Sequence, residues 1–479
     1  MRTETDFLGS MEIPEDALYG IHSMRAVANF PDNTPFYREW YSAAGTVKKA
    51  CYIMYARYAE AVRTKHPETE LPQPLIEKNI LDALITAAGE VEDNQHAEFF
   101  IVPAVQGGAG TSINMNVNEI ITNRALILTG HLPGEYQWID PVEQANICQS
   151  TNDVIPTSLR IALFRLLTRL EESINKLRSS VEEQEKNNRR TMRIAYTQMQ
   201  EAVPSSYGRL FSTYCDALSR DWWRVSKCFE RIKTVNLGGS AIGSGITVPR
   251  YFLSGILPVL REITGMPLTR AENMQDATCN LDALVEVHAI VKAHAVNLEK
   301  MVSDLRLLSS DLLKNKELQI PQLQVGSSIM PGKVNPVIPE FVISATHKVY
   351  SNDQLIAGLC ASGCLDLNAY LPSIGHAMIE SLKLMIACDE TLLRNFTGGL
   401  KVNSTMAAEK LSYSSAISTA LLPYIGYNKS AMLAHEMKNN NLNIMEANRL
   451  LGIMPEEKLL GIIEPDNLLK EGFTVQDII

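Results

Sequence analysis

The feature that most restricts how this chain can fold is an apolar stripe that continues for about nine helical turns. From Pro156 to about Asn188, Leu159, Leu163, Leu166, Leu170, Ile174, Leu177 and Val181 recur every three or four residues, so they lie on one face of a single helix. Such a helix would be about 50 Å long, and one short neighbour cannot cover its stripe. It needs partners of similar length, and the chain supplies them. Ser205 to Lys233 continues in the same style. Ala277 to Leu313 carries Leu281, Leu284, Val287, Ile290, Val291, Ala295, Leu298 and Val302 on one face, and helical signal returns over Val337–Leu359 and Ile374–Asn395. Long helices grouped in the middle of a chain predict a mainly α fold built on a large central bundle.

The ends read differently. The first 40 residues, broken by Gly9, Pro14, Gly20, Pro31 and Pro35, are expected to be an extended lead-in with turns. Shorter helices are predicted over Ala43–Arg63, Leu75–Asp93 and Asn116–Leu128. Beyond residue 400, Gly426, Gly452, Pro455, Gly461 and Pro465 separate shorter elements. The expected division is an N-terminal domain over 1–155, the bundle over 156–400 and a small helical domain over 401–479. Strand signal is thin, with no Asn-Gly or Asp-Gly hairpin. Ala241-Ile-Gly-Ser-Gly245 closes no strand–helix unit, so a nucleotide-binding fold is not expected.

The net charge is −10, and the longest basic run, Arg189-Arg190, falls at the polar end of a helix. A nucleic-acid partner is therefore not expected. An acidic chain that binds an anion must create its own local positive field, so each lysine in a site counts. None of the 8 cysteines forms a Cys-x-x-Cys pair. Cys360 and Cys364 share a helix face but have no further ligands nearby, and all eight are expected to be buried small residues in a reducing compartment. A charged start, Met1-Arg-Thr-Glu-Thr-Asp6, with no apolar run near about 18 residues, predicts a cytoplasmic protein with neither signal peptide nor membrane span.

Four polar segments interrupt the helical scaffold. Gln106-Gly-Gly-Ala-Gly-Thr-Ser-Ile-Asn-Met-Asn116 combines small residues, which let backbone approach a ligand, with the donors Thr111, Ser112 and Asn114; it would serve equally as a loop capping the next helix. Gln149-Ser-Thr-Asn-Asp153 precedes a helix expected to begin at Pro156, where an anion is favoured. One hydroxyl would suffice for a cap, and Ser150, Thr151 and Asn152 offer more than that. Tyr196-Thr-Gln-Met-Gln-Glu-Ala-Val-Pro204 brings Thr197 and Gln198, candidate substrate-binding residues that can donate to a carboxylate or contact an amine, though alone it reads as a plain helix start. Gly326-Ser-Ser-Ile-Met-Pro-Gly-Lys-Val-Asn-Pro336, followed by Glu340, is the most specific, with Ser327, Ser328, Lys333 and Asn335 on a Gly- and Pro-rich loop before a helix.

This set suits a carboxylate substrate, which needs charge-assisted donors. Removing a proton alpha to a carboxylate places a second negative charge on that group, and Lys333 and Asn335 would stabilise it. The segments offer no aspartate or histidine base in an obvious role, which leaves a serine by elimination. A serine alkoxide is costly near neutral pH unless a cation, backbone N–H groups and loop closure stabilise it.

In order and spacing, these segments resemble the aspartase/fumarase superfamily. Its signature Gly-Ser-Ser-x-x-Pro-x-Lys-x-Asn appears as Gly326 to Asn335, and the likeness runs from Asp16-Ala-Leu-Tyr-Gly-Ile-His-Ser-Met-Arg25 to Asn428 and the C-terminal part. The resemblance implies a homotetramer around a shared helical bundle, with each active site built from three subunits. By position it implies that Ser327 is the base. Thr111, Ser150, Thr151 and Ser328 would hold the carboxylate beside the deprotonated carbon, and Thr197, Lys333 and Asn335 the other carboxylate. Asn152 would contact the amino group, and Glu340 would support the third segment. It implies no required cofactor or metal, with the activation by divalent ions at alkaline pH that some members have.

Gln198-Met-Gln-Glu-Ala-Val-Pro204 resembles the aspartases that carry Gln rather than His at this point, as do Gly134-Glu-Tyr-Gln137 and Asn236-Leu-Gly-Gly-Ser-Ala-Ile-Gly243. The expected reaction is thus loss of ammonia from L-aspartate to give fumarate. The alternatives are fumarate hydration, another amino- or hydroxy-succinate lyase, and a non-catalytic bundle. Hydration is disfavoured because Gln198 has no useful pKa near neutrality. Two stretches depart from the family pattern. Asp311-Leu-Leu-Lys-Asn315 stands where members carry Gly-Pro-Arg-x-Gly, and Leu367-Asn-Ala-Tyr-Leu-Pro372 lacks the usual charge before the proline. Either subunit packing or a modified substrate would account for them.

Overall fold

The computed structural model describes residues 1–313 and 316–479; the departure at 311–315 thus lies partly outside the described residues. The chain is mainly α, with long helices bundled together. In order the helices are α1 (Ile21–Asn29), α2 (Arg38–Lys65), α3 (Lys78–Glu92), α4 (Thr111–Leu128), α5 (Thr151–Asn187), α6 (Tyr207–Ile232), α7 (Arg250–Thr264), α8 (Asp276–Cys279), α9 (Asp282–Leu308), α10 (Val337–Ala361) and α11 (Leu371–Asn395). Beyond them come α12 (Ser404–Tyr413), α13 (Leu422–Asn440), α14 (Ile444–Leu451), α15 (Glu456–Ile463), α16 (Pro465–Leu468) and α17 (Val475–Ile478). Strands are short and occur in pairs, β1 (Arg2–Asp6) with β2 (Gly9–Ile13) and β3 (Met192–Thr197) with β4 (Gln200–Ser206) being antiparallel. The chain forms two compact units, one of 1–170, 224–292 and 348–384, the other of 171–223, 293–347 and 385–479.

The predicted stripe of α5 is buried throughout, from Leu159 to Val181, each such side chain contributing on the order of 1.5–3 kcal/mol. In the first unit α2, α3 and α4 share a core of Tyr41, Leu84, Val91, Val117 and Ile121. The stretch 16–25 is tied to α4 by a buried carboxylate: Glu119 accepts from the backbone N–H groups of Gly20 and His22, both at 2.8 Å, and from the Ser23 hydroxyl. Burial pushes this carboxyl up to about 7, against the pull of those bonds. Gly20 must be glycine, because a Cβ there would lie 2.7 Å from both Glu4 Oε2 and Tyr136 Oη. In the second unit the C-terminal helices pack on the β3–β4 hairpin, with Leu411, Ile417, Leu421 and Leu433 against Met192 and Ile194.

Several expectations need correction. The segment 196–204 is a hairpin, not a helix start. Thr197 pairs with Gln200 across a two-residue turn in which Gln198 and Met199 have φ of 52° and 63°. Such a turn needs positive φ at both central residues and is normally Asn-Gly or Asp-Gly, so Gln-Met gave no signal. Helix α5 begins at Thr151 rather than Pro156. Ser150 and Asp153 start it: the Ser150 N–H donates to Asp153 Oδ1 at 2.9 Å, and Ser150 Oγ accepts the Asn152 N–H at 3.2 Å. Pro156 lacks the N–H that would have met the Asn152 carbonyl, and Asn236 Nδ2 donates to that carbonyl instead, at 2.9 Å. Helix α4 likewise starts earlier, at Thr111 rather than Asn116, and the lead-in holds the β1–β2 hairpin and α1. Of the cysteines, Cys51, Cys215, Cys228 and Cys388 are buried, but Cys364 is exposed.

Candidate active site

The first unit brings the first two polar segments together. In the Gly-rich loop before α4, Gly108, Ala109 and Gly110 take φ of 82°, 58° and 91°. A Cβ on Gly110 would come within 3.1 Å of Ile155, so the N-terminus of α4 lies against the first turns of α5. Two helix N-termini with their unpaired N–H groups form a setting that favours an anion. Thr111 is exposed at one of them; Ser150, Thr151 and Asn152 are half-buried at the other. Asn152 donates from Nδ2 to the Ala241 carbonyl at 2.8 Å, which leaves Oδ1 as the atom able to accept from an amine. Asp153 is fully buried and pins the 238–240 turn, accepting from the Gly238 and Ser240 N–H groups at 3.2 and 3.0 Å. Burial lifts its carboxyl to about 6 despite these bonds. Asn114 is buried and donates to Asn146 at 3.0 Å, so it braces the scaffold from within.

The second unit holds the remaining residues. The Gly-Ser-Ser loop is pinched at its base, where the Gly326 N–H donates to the Lys333 carbonyl and Asn335 Nδ2 to the Gly326 carbonyl, both at 2.8 Å. A Cβ on Gly326 would sit 2.7 Å from the Asn335 side chain and backbone, so only glycine fits. Inside the loop, Ser327 Oγ accepts two backbone N–H groups, from Ile329 at 3.2 Å and Met330 at 2.9 Å. Ser328 is exposed on the same loop. Lys333, exposed, and Asn335 line a cleft of about 760 Å³ together with Glu340, Arg306, Lys316 and Lys401. Glu340, in the first turn of α10, lies 3.7 Å from Arg306. Thr197 and Gln198 are exposed at the tip of the β3–β4 hairpin. Arg306, Lys316 and Lys401 carry no motif signal in the sequence, because an isolated basic residue becomes part of a site only when the fold brings it to a cleft.

Among the described residues, no group of three or more His, Cys, Asp or Glu side chains is placed to hold a metal ion, and no helix is long and apolar enough to cross a membrane.

Sequence comparison places this helical scaffold, with its hydroxyl- and amide-bearing loops, among the lyases. The family model described as Lyase matches residues 9–351, and one described as Fumarase C C-terminus matches residues 417–470. The chain belongs to the aspartase/fumarase superfamily and is an enzyme of its carbon–nitrogen lyase type. It is 37% identical over 450 residues to the aspartate ammonia-lyase of Helicobacter pylori, covering 93% of each chain. To that of Escherichia coli it is 38% identical over 432 residues, covering 89% of this chain and 87% of the relative. The crystal structure of fumarate lyase:delta crystallin from Brucella melitensis bound to cobalt matches it with a TM-score of 0.89 at 33% identity, covering 98% of both chains.

Proposed function

We propose that the chain reversibly eliminates ammonia from L-aspartate to give fumarate, with Ser327 as the base. The observation that carries this reading is the pair of N–H groups, from Ile329 and Met330, directed at Ser327 Oγ. Donors already aimed at an oxygen favour its charged form and lower the cost of an alkoxide. The Ser327 alkoxide takes a proton from the carbon beside one carboxylate. The electron pair left behind forms the C=C bond as the C–N bond breaks and ammonia departs. Thr111, Ser150, Thr151 and Ser328 hold the carboxylate next to the deprotonated carbon, while Thr197, Gln198, Lys333 and Asn335 hold the other. Asn152 accepts from the amino group through Oδ1, and Glu340 supports the hairpin residues. Relatives named aspartate ammonia-lyase, matched over about nine-tenths of this chain, support the choice of substrate.

The enzyme works as a homotetramer whose sites each draw on three subunits, a reading supported by the family resemblance and by the length of α5, α6, α9, α10 and α11. It acts in the cytoplasm, in keeping with eight unpaired thiols. It requires no cofactor; divalent ions activate it at alkaline pH, a reading encouraged by the cobalt in the Brucella melitensis relative. The test follows the absorbance of the fumarate double bond when purified protein meets L-aspartate, and again when it meets fumarate with and without ammonium. Fumarate should form from aspartate and be consumed only with ammonium present. Consumption without ammonium would establish hydration instead, and no change in either direction would refute the reaction. Ser327→Ala, folded and tetrameric, should lose about 10²–10⁴-fold in turnover with little change in binding.

A further inference from the structure

Beneath the second polar segment lies a buried lysine that the chemistry above does not use. Lys48, in the middle of α2, is fully buried, a position lysine almost never takes unless paired. Its ammonium has one hydrogen-bond partner among the described residues, Asn146 Oδ1 at 3.3 Å. The titratable groups facing it are Cys51 on α2 and Asp153 in the first turn of α5, and Cys148 faces Cys51. Burial pushes the Lys48 amine down to about 7, while Cys51 and Asp153 pull it upward.

Asn146 is a hub. Its Oδ1 also accepts from Asn114 Nδ2 at 3.0 Å and Asn118 Nδ2 at 3.2 Å, and its own Nδ2 donates to the Gln149 carbonyl at 3.2 Å. That last bond spans the turn 146–149, which the Gln149 N–H also closes on the Asn146 carbonyl at 3.2 Å, and in which Cys148 takes a φ of 55°, a conformation that must be held by its surroundings. Three buried amide oxygens, on Asn114, Asn118 and Gln149, have no hydrogen-bond partner among the described residues. Asn146 Oδ1 is the acceptor with which the buried ammonium is paired. An ammonium that polarises Asn146 Oδ1 also strengthens donation from Nδ2, because linked hydrogen bonds reinforce one another.

We propose that Lys48 is a positioning residue that, through Asn146, fixes the 146–149 turn and so aims Ser150, Thr151 and Asn152 at the substrate. This rests on the function proposed above. The loop is then held between two buried charges, Lys48 acting through Asn146 and Asp153 acting on the Ser150 N–H.

The test is Lys48→Met in the full chain, which keeps a straight stem and removes the cation. Replacing a poorly paired buried charge by an apolar group is commonly neutral or stabilising, so the melting temperature should equal or exceed the parent's. Backbone amides 149–153 should exchange with deuterium at least about tenfold faster. KM for L-aspartate should rise about tenfold or more while kcat changes little, the mark of lost uniform binding; a purely structural role would lower stability and leave KM alone. If the methionine protein misfolds, Asn146→Ala, which leaves Lys48 in place and cuts the link, carries the same two readouts. Unchanged exchange over 149–153 in a folded variant overturns the inference, as does an unchanged KM when the parent is active. A parent inactive on aspartate refutes the proposed function, and the exchange rates then decide the role of Lys48 alone.

Discussion

Replacing His294 by leucine should remove a large part of the stability of the second unit. His294 on α9 is fully buried, with Nδ1 3.0 Å from Asp221 Oδ2 on α6 and Nε2 3.0 Å from Asp389 Oδ1 on α11. Asn297 Nδ2 donates to both Asp221 oxygens, at 2.8 and 2.9 Å, and Ser173 on α5 donates to Asp389 at 2.7 Å. Four helices therefore meet at one imidazole whose two nitrogens both face carboxylates, so both must donate and the ring is an imidazolium. Burial opposes that charge, but Asp389 and Asp221 outweigh it and hold the group up to about 10. Because the folded value lies above the ordinary value of 6.5, the contribution is fully present below about 6.5 and is lost as pH rises through about 10. His294→Leu removes the imidazolium that both buried carboxylates face, a change that typically costs about 3–5 kcal/mol against a total of about 5–15 kcal/mol for a folded domain. Urea unfolding at pH 7.5, followed by far-UV circular dichroism, should report that loss. The gap between parent and variant should narrow as pH passes 10, and adding Asp389→Asn should recover part of the loss by removing one stranded charge. A variant within about 1 kcal/mol of the parent at pH 7.5, or a gap that ignores pH, would refute the assignment.

Under the proposed mechanism, in which the cation would act on ground state and transition state alike, Lys333→Ala should weaken both KM and kcat for aspartate, and steady-state kinetics beside Ser327→Ala will separate the two proposed roles. Gly326→Ala should cost about 10²-fold in kcat/KM by forcing the loop away from Asn335, with the melting temperature little changed in a thermal scan. Met199→Gly should relieve the left-handed turn at the hairpin tip and stabilise the protein by about 1 kcal/mol, read as a higher urea midpoint.

The sequence alone determined the bundle and the Gly-Ser-Ser loop. A stripe such as Leu159 to Val181 can be buried only by partners of similar length, and this requirement is written in local periodicity. The signature from Gly326 to Asn335 was equally legible, because its glycine and amide meet each other nine residues apart and define their own loop. Tertiary structure decided the rest. Gln198 and Met199 form a tight hairpin turn against their own preference, because the flanking strands, packed on Leu411 and Ile417, over-determine it. Helix α5 runs back past Pro156 to Thr151 because Asn236, distant in sequence, satisfies the carbonyl the proline leaves open. Lys48 and His294 look like ordinary polar interruptions of helical stripes. Whether such a residue ends in water or in the core depends on what other helices bring to face it, here Asn146 for one and Asp221 and Asp389 for the other. Periodicity describes one helix at a time; the energy of a buried charge depends on all of its neighbours, which the chain specifies only once it has folded.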